Sequence, residues 1–167
     1  HQALDEVEAH TAHTGGVPAV SVTSGTAALH VAYAAAEVGP GDEVVTSPLT
    51  FVATAAGAML LGATVVFADV EEDTGNLDPD AAAAAVTPRT KVVTTVDYAG
   101  LPGDVDRLRQ VASDAGAYLV EDAAHSIGGS YHGRPVGTLA DLTTFSFFPT
   151  KNLTTAEGGA VASPHPE

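Results

Sequence analysis

The chain has two lysines: Lys91, at the head of a β-branched run, and Lys151, inside FSFFPTKNLTTAEGG. A lysine held among small and apolar residues has its ammonium form disfavoured by lost hydration, which frees a neutral amine to condense with a carbonyl as a Schiff base. Taken alone, Lys151 fits a solvated loop lysine better. Asp122 stands just past the apolar run 117–120, within EDAAHSIGG. A strand-end carboxylate can pair with a protonated pyridine nitrogen and keep such a ring electron-withdrawing; on its own it also suits a turn or a helix cap. His125 can lie over or beside a planar ring, or serve as an ordinary hydrogen-bond donor.

Those groups act together only if the fold carries them to one edge. Short β-branched runs alternate with Ala-rich stretches, which predicts an α/β protein: a largely parallel sheet with helices on both faces. Strands are predicted at 19–23, 43–47, 64–68, 91–96, 117–121 and 143–147, and helices at 2–13, 26–37, 50–61, 78–86 and 104–115, with glycines such as Gly62 and Gly116 as stops. Ligands of such sheets bind where strands end and helices begin, and three polar loops, 24–26, 122–126 and 146–152, fall there. In the first, a strand runs into Ser24-Gly25-Thr26-Ala27-Ala28, where glycine permits close backbone approach and a helix opens with unpaired N–H groups. This makes a phosphate cup, although a Ser or Thr cap beside Gly is common in α/β proteins. Ser146 adds a hydroxyl toward the same anion, and Phe51 is a candidate for ring stacking or for core packing. Cup, aromatic, strand-end acid and loop lysine together match the four handles of a pyridoxal phosphate.

Composition removes other classes. At 167 residues one buried core is expected, and the 45% apolar share rests on Ala and Val, with no Trp. Six Lys plus Arg against 21 Asp plus Glu give a net charge of −15, which opposes nucleic-acid and anionic-membrane binding and is explained by a solvated acidic surface. Without cysteine there is no disulfide, thiolate nucleophile or Cys-based metal site. The opening HQALDEVEAH is acidic, unlike a signal peptide, and the uncharged stretch 50–68 is broken at Gly62, so a cytoplasmic protein without a membrane span is expected. His10 and His13 lack a third ligand in any recognisable pattern, so no metal site is read. No G-x-G-x-x-G follows the first strand, which argues against a dinucleotide-binding dehydrogenase.

The runs SGTAALHVAY, GPGDEVVTSPLTFVATAAG, EDAAHSIGG and FSFFPTKNLTTAEGG, in this order and spacing, resemble the DegT/DnrJ/EryC1/StrS aminotransferases, which aminate nucleotide-linked keto sugars. The resemblance covers essentially the whole chain. It implies the three-layer αβα large domain of fold type I aminotransferases over 1–167, with pyridoxal 5'-phosphate as cofactor. Lys151 would carry the cofactor and act as general base, and Asp122 would bind its pyridine nitrogen. Phe51 and His125 would flank the ring, and Gly25, Thr26, Ala27 and Ser146 would hold the phosphate. The implied partners are a nucleotide-sugar substrate, an amino-acid donor (glutamate) and a second subunit in a homodimer, which completes the active site with its loops. The phrase VDYAG at 96–100, with TTAEGG, resembles the branch acting on UDP-linked 4-keto sugars; Asp97 and Tyr98 then either face substrate or only end a strand. The family's N-terminal arm and C-terminal small domain are not visible beyond Glu167. Two alternatives stand beside this reading. One is a dehydratase or lyase on the same scaffold, against which Lys151 speaks, since sugar 3-dehydratases resembling this family carry His there. The other is a non-catalytic truncated fragment or scaffold.

Overall fold

The computed structural model describes residues 14–165, so the predicted helix 2–13, with His10 and His13, lies outside the described residues. The described chain runs β1 (Ala19–Val22), α1 (Gly25–Ala35), β2 (Glu43–Thr46), α2 (Ala53–Met59), β3 (Thr64–Phe67), α3 (Pro79–Ala85), β4 (Thr90–Val96), a single 3-10 turn (Tyr98–Gly100), α4 (Val105–Ala115), β5 (Tyr118–Asp122), a hairpin of β6 (Ser130–Tyr131) and β7 (Arg134–Pro135), then β8 (Leu142–Ser146) and β9 (Gly159–Ala162).

Neighbouring strand residues point to opposite faces, and this alternation decides the architecture. Val45, Val93 and Leu119 join one buried cluster, while their neighbours Val44, Val92 and Val120 join another. A sheet apolar on both faces requires cover on both. On one side α1 and α2 supply Leu29, Tyr33, Ala53 and Ala58; on the other α3 and α4 supply Ala82, Leu108 and Ala112. The result is the expected three-layer αβα arrangement.

Strand order in the main sheet is β1-β9-β8-β5-β4-β2-β3. The pairs β2–β3, β2–β4, β4–β5 and β5–β8 are parallel, whereas β9 is antiparallel to both β8 and β1. It follows that β1 points the same way as β8 and that β9 alone is reversed. The forward ends of β1, β2, β4, β5 and β8 therefore open on one edge, and the β8–β9 connection, which holds Lys151, returns across that same edge.

Local chemistry sets the helix starts there. Ser24 caps α1 by accepting from the Ala27 N–H at 3.1 Å. Asp104 caps α4 by accepting from the Arg107 N–H at 3.2 Å, and Gly116, at φ 65°, closes that helix in the left-handed region that glycine tolerates. The predicted helix 50–61 is shorter in the structure because the Ser47 hydroxyl accepts from the Leu49 N–H at 2.9 Å and holds a turn ahead of Ala53. Tyr33 is fully buried in α1, and its hydroxyl donates to the Thr54 carbonyl at 2.9 Å and lies 3.1 Å from Thr94 Oγ1. An unpaired hydroxyl at that depth costs about 1–3 kcal/mol, so these bonds fix how α1, α2 and β4 meet. No helix among the described residues is long and apolar enough to cross a membrane.

Candidate active site

A cavity of about 500 Å³ opens on the shared strand edge, between the start of α1, the approach to α2, the ends of β5 and β8 and the lysine loop. Gly25, Thr26, Phe51, Asp122, Ser146 and Lys151 line it, six of the eight residues singled out from the sequence. Ala27 and His125 do not form its wall. A larger groove, about 820 Å³, lies at the opposite edge around Val20, Val31, Arg109 and Tyr118, and none of the candidate residues reaches it.

Asp122 ends β5 with 5% of its surface exposed. Its Oδ2 accepts from Thr54 Oγ1 at 2.7 Å and its Oδ1 from the Ala124 N–H at 3.2 Å. Burial raises its pKa, and the hydrogen bonds from Thr54 and Ala124, with the charges of Lys151 and His125, offset only part of that rise. A buried acid under this pressure favours a cationic ring nitrogen as partner. Lys151 is half-buried on the cavity wall, its N–H donating to the Phe148 carbonyl at 2.9 Å.

At the cup, a Cβ built on Gly25 would lie 2.7 Å from Ser146 Cβ and 2.9 Å from Ser146 Oγ. The start of α1 therefore rests directly on the Ser146 side chain, a contact open only to glycine. Ser24 and Thr26 complete this wall. The Ala27 amide is taken by the Ser24 cap, and Ala27 does not line the cavity, whereas Gly25 and Thr26 do. Phe51 is 73% exposed in the turn before α2, a wall residue and not a core one. His125 is exposed beside the cavity, where partial burial and the Lys151 charge lower its pKa against the opposing pull of Asp122. Both of the leading effects favour the neutral imidazole.

The sequence profile of the DegT/DnrJ/EryC1/StrS aminotransferase family matches residues 3–167. The chain belongs to that family. It is 49% identical over 152 residues to the spore coat polysaccharide biosynthesis protein SpsC of Bacillus subtilis (strain 168), covering 91% of this chain and 39% of SpsC. The crystal structure of 3-amino-5-hydroxybenzoic acid (AHBA) synthase superposes with a TM-score of 0.94 at 44% identity, over 100% of this chain and 44% of that one. DesI, solved in the presence of its TDP-sugar product, gives a TM-score of 0.89 at 44% identity, over 99% of this chain and 42% of that one. The chain thus spans about two fifths of the length of the relatives it matches.

In this DegT-family chain the structure also brings forward residues that the sequence reading passed over. Thr54 sits in the Ala-rich run ATAAGAM, and its sign was a lone hydroxyl at a buried helical position. Asn152, next to Lys151, donates from Nδ2 to the His125 carbonyl at 2.9 Å and ties the lysine loop to the 122–126 turn. Of the two residues left open between substrate contact and strand end, Asp97 is buried, with 1% of its surface exposed, and points to Ser126 rather than into the cavity. Tyr98 is 40% exposed.

Proposed function

We propose that this chain is the cofactor-binding part of a pyridoxal-phosphate-dependent aminotransferase that moves an amino group from an amino acid, glutamate in the first instance, to a nucleotide-linked keto sugar, a UDP-4-keto sugar being the first to test. The observation that carries the reading is the single cavity holding Lys151, buried Asp122 and the Gly25–Ser146 contact. Family membership and the sugar-linked relatives SpsC and DesI support it.

Pyridoxal phosphate, when bound, supplies an aldehyde that captures amines and a pyridinium ring that draws electrons from them. The residues of this chain do the rest. The Gly25 and Thr26 amides, at the positive end of an 11-residue helix, and the Ser146 hydroxyl take the phosphate. Asp122, fixed by Thr54 and the Ala124 N–H, holds the proton on the ring nitrogen through a charge-assisted hydrogen bond. Lys151 Nζ would anchor the cofactor and, as a free amine, carry the proton away from Cα of the amino donor, which leaves as an oxo acid, and in the second half deliver a proton to the former carbonyl carbon of the sugar. Phe51 and neutral His125 bound the ring without adding a cation to it. Phe51 and Phe148 leave exposed apolar surface on the cavity wall, 73 and 46% accessible, and their chain neighbourhoods add exposed Val52 and Leu153, which favours closure by a second copy of the protein in a homodimer. A cytoplasmic setting belongs to the same proposal.

The test is a spectrum followed by an assay. Added pyridoxal phosphate should produce a visible-range band that Lys151→Ala abolishes together with amine transfer to the sugar; a band that survives in Lys151→Ala overturns the lysine assignment. AHBA synthase, whose product is an amino-hydroxybenzoate, favours a second reading in which the acceptor is a carbocyclic ketone without a nucleotide. Parallel assays with both acceptors separate the two.

A further inference from the structure

Two buried carboxyls beside the site have no role in the chemistry above. Asp97 follows β4 directly and Glu121 lies within β5; they are 1% and 0% exposed. The β4–β5 register sets Thr95 against Glu121 and Val96 against Asp122, which puts Asp97 and Glu121 on the same face of neighbouring strands, close enough for each to shift the other's titration. Each also has an outer anchor. Ser126 Oγ donates to Asp97 Oδ2 at 2.5 Å, and Thr143 Oγ1 donates to Glu121 Oε2 at 2.9 Å. The inner oxygens, Asp97 Oδ1 and Glu121 Oε1, are buried and receive no conventional donor.

The other groups acting on the pair are the Gly103 amide on Asp97, the Gly137 amide on Glu121 and the carboxylate of Asp122; no cation is among them. Two carboxylates facing each other in so dry a place cannot both stay ionised, and one proton between them satisfies both inner oxygens at once. Burial is the leading cause that raises the pKa of each; Asp97 pushes Glu121 further up, while contact with Glu121 draws Asp97 partly back down, as expected when one proton stays on Glu121 and Asp97 is its acceptor. The pair also grips the turn that carries the site. The Asp97 N–H donates to the Asp122 carbonyl at 3.1 Å, while Ser126, at the far end of the turn, donates to the Asp97 carboxylate. Asp122 and His125 lie between these two anchor points.

We propose that Asp97 and Glu121 share one proton and that this acid–carboxylate pair is a positioning device for the 122–126 turn, setting Asp122 and His125 for the cofactor. The positioning half rests on the functional reading above; the shared proton does not.

Infrared spectra of the purified protein at neutral pH should contain the carbonyl stretch of a protonated, buried carboxylic acid. Asp97→Asn and Glu121→Gln should each lose that band, and Asp122→Asn should keep it. No band at neutral pH, or a band removed only by Asp122→Asn, overturns the shared proton. The band needs no cofactor, so its presence in a protein that fails to bind pyridoxal phosphate would refute the functional reading and leave the pair standing. For positioning, the readout is the cofactor dissociation constant by absorbance. Asp97→Asn keeps an acceptor for Ser126 and supplies an N–H to Glu121, so it should bind as the wild type does. Asp97→Ala strands both partners and should bind about tenfold more weakly. Ser126→Ala, which cuts only the outer anchor, should weaken binding in the same direction and covers the case in which Asp97→Ala does not fold. Wild-type affinity in Ser126→Ala, or an Asp97→Asn variant as impaired as Ser126→Ala, overturns the positioning role.

Discussion

Thr54→Val replaces a hydroxyl by a methyl of the same shape on the buried face of α2. The hydroxyl is the closer of two donors to Asp122, at 2.7 Å against 3.2 Å for the Ala124 N–H, and lies 2.8 Å from Thr50 Oγ1. A hydrogen bond to a charged group in a protein interior contributes about 1.5–3 kcal/mol. Burial already raises the Asp122 pKa and Thr54 is the first group opposing it, so the variant should keep Asp122 protonated to a higher pH. A protonated acid cannot take the charge-assisted bond from a pyridinium nitrogen. Cofactor binding near neutral pH should therefore weaken about 10- to 150-fold, the same energy expressed as a ratio of dissociation constants. Because the loss comes from protonation, it should shrink as the pH is raised; a loss caused by misplaced packing would not. Titrating the cofactor absorbance at several pH values measures both, with Thr54→Ser as the control that restores the donor. The reasoning fails if Thr54→Val binds as tightly as the wild type, or if its deficit is flat with pH and Thr54→Ser shares it.

Further consequences concern the frame around the site. Gly25→Ala puts a Cβ 2.7 Å from Ser146 Cβ, so α1 must lift off β8; denaturant unfolding should show a loss of about 1–3 kcal/mol, and Ser146→Gly in the same chain should recover most of it. Tyr33→Phe removes the hydroxyl that ties α1 to the Thr54 carbonyl and to Thr94 and takes that partner from the buried Thr94 Oγ1, so the same assay should show a loss of about 1–3 kcal/mol. Asp97, Glu121 and Asp122 all have raised pKa values with burial as the leading cause. Between about pH 4, where free carboxyls ionise, and those raised values the folded state binds more protons than the unfolded one. Stability of the cofactor-free protein should then fall as pH rises through that window, and Asp97→Asn should flatten the fall in a series of unfolding curves; a wild-type curve that rises across the window would contradict the assignment.

Much of this layout is legible in the sequence because the layers leave local signatures. The valine pairs at 44–45 and 92–93 announce strands covered on both faces, and each predicted strand lies within about two residues of an observed one. Lys151, Asp122, Ser146 and the Gly25 turn were visible because reactive residue types stand out at strand ends. What stayed hidden depends on pairing between distant segments. β9 is a run of small residues, GAVA, whose reversed direction follows from its place between β1 and β8 and from nothing in its own residues. Glu121 reads as the last residue of an apolar strand; only the parallel register with β4 reveals that it meets Asp97. Thr54 is hidden in the same way, since its acceptor lies 68 positions further along the chain. That Ala27 lies off the cavity wall, with its amide on the Ser24 hydroxyl, is likewise a matter of how one helix turn is capped and not of its residue type.

The reversal of β9 has an evolutionary corollary. Because β8 and β9 are antiparallel neighbours, the stretch between them is tied down at adjacent points, with the Phe147 N–H on the Gly158 carbonyl at 2.9 Å and the Thr155 N–H on the Phe147 carbonyl at 3.1 Å. A segment closed at both ends can grow with little penalty, about 0.6 kcal/mol for each doubling of its length. Insertions and deletions there would reshape the mouth of the cleft while the scaffold beneath keeps its spacing, so lineages can diverge in what they admit without relearning how to fold.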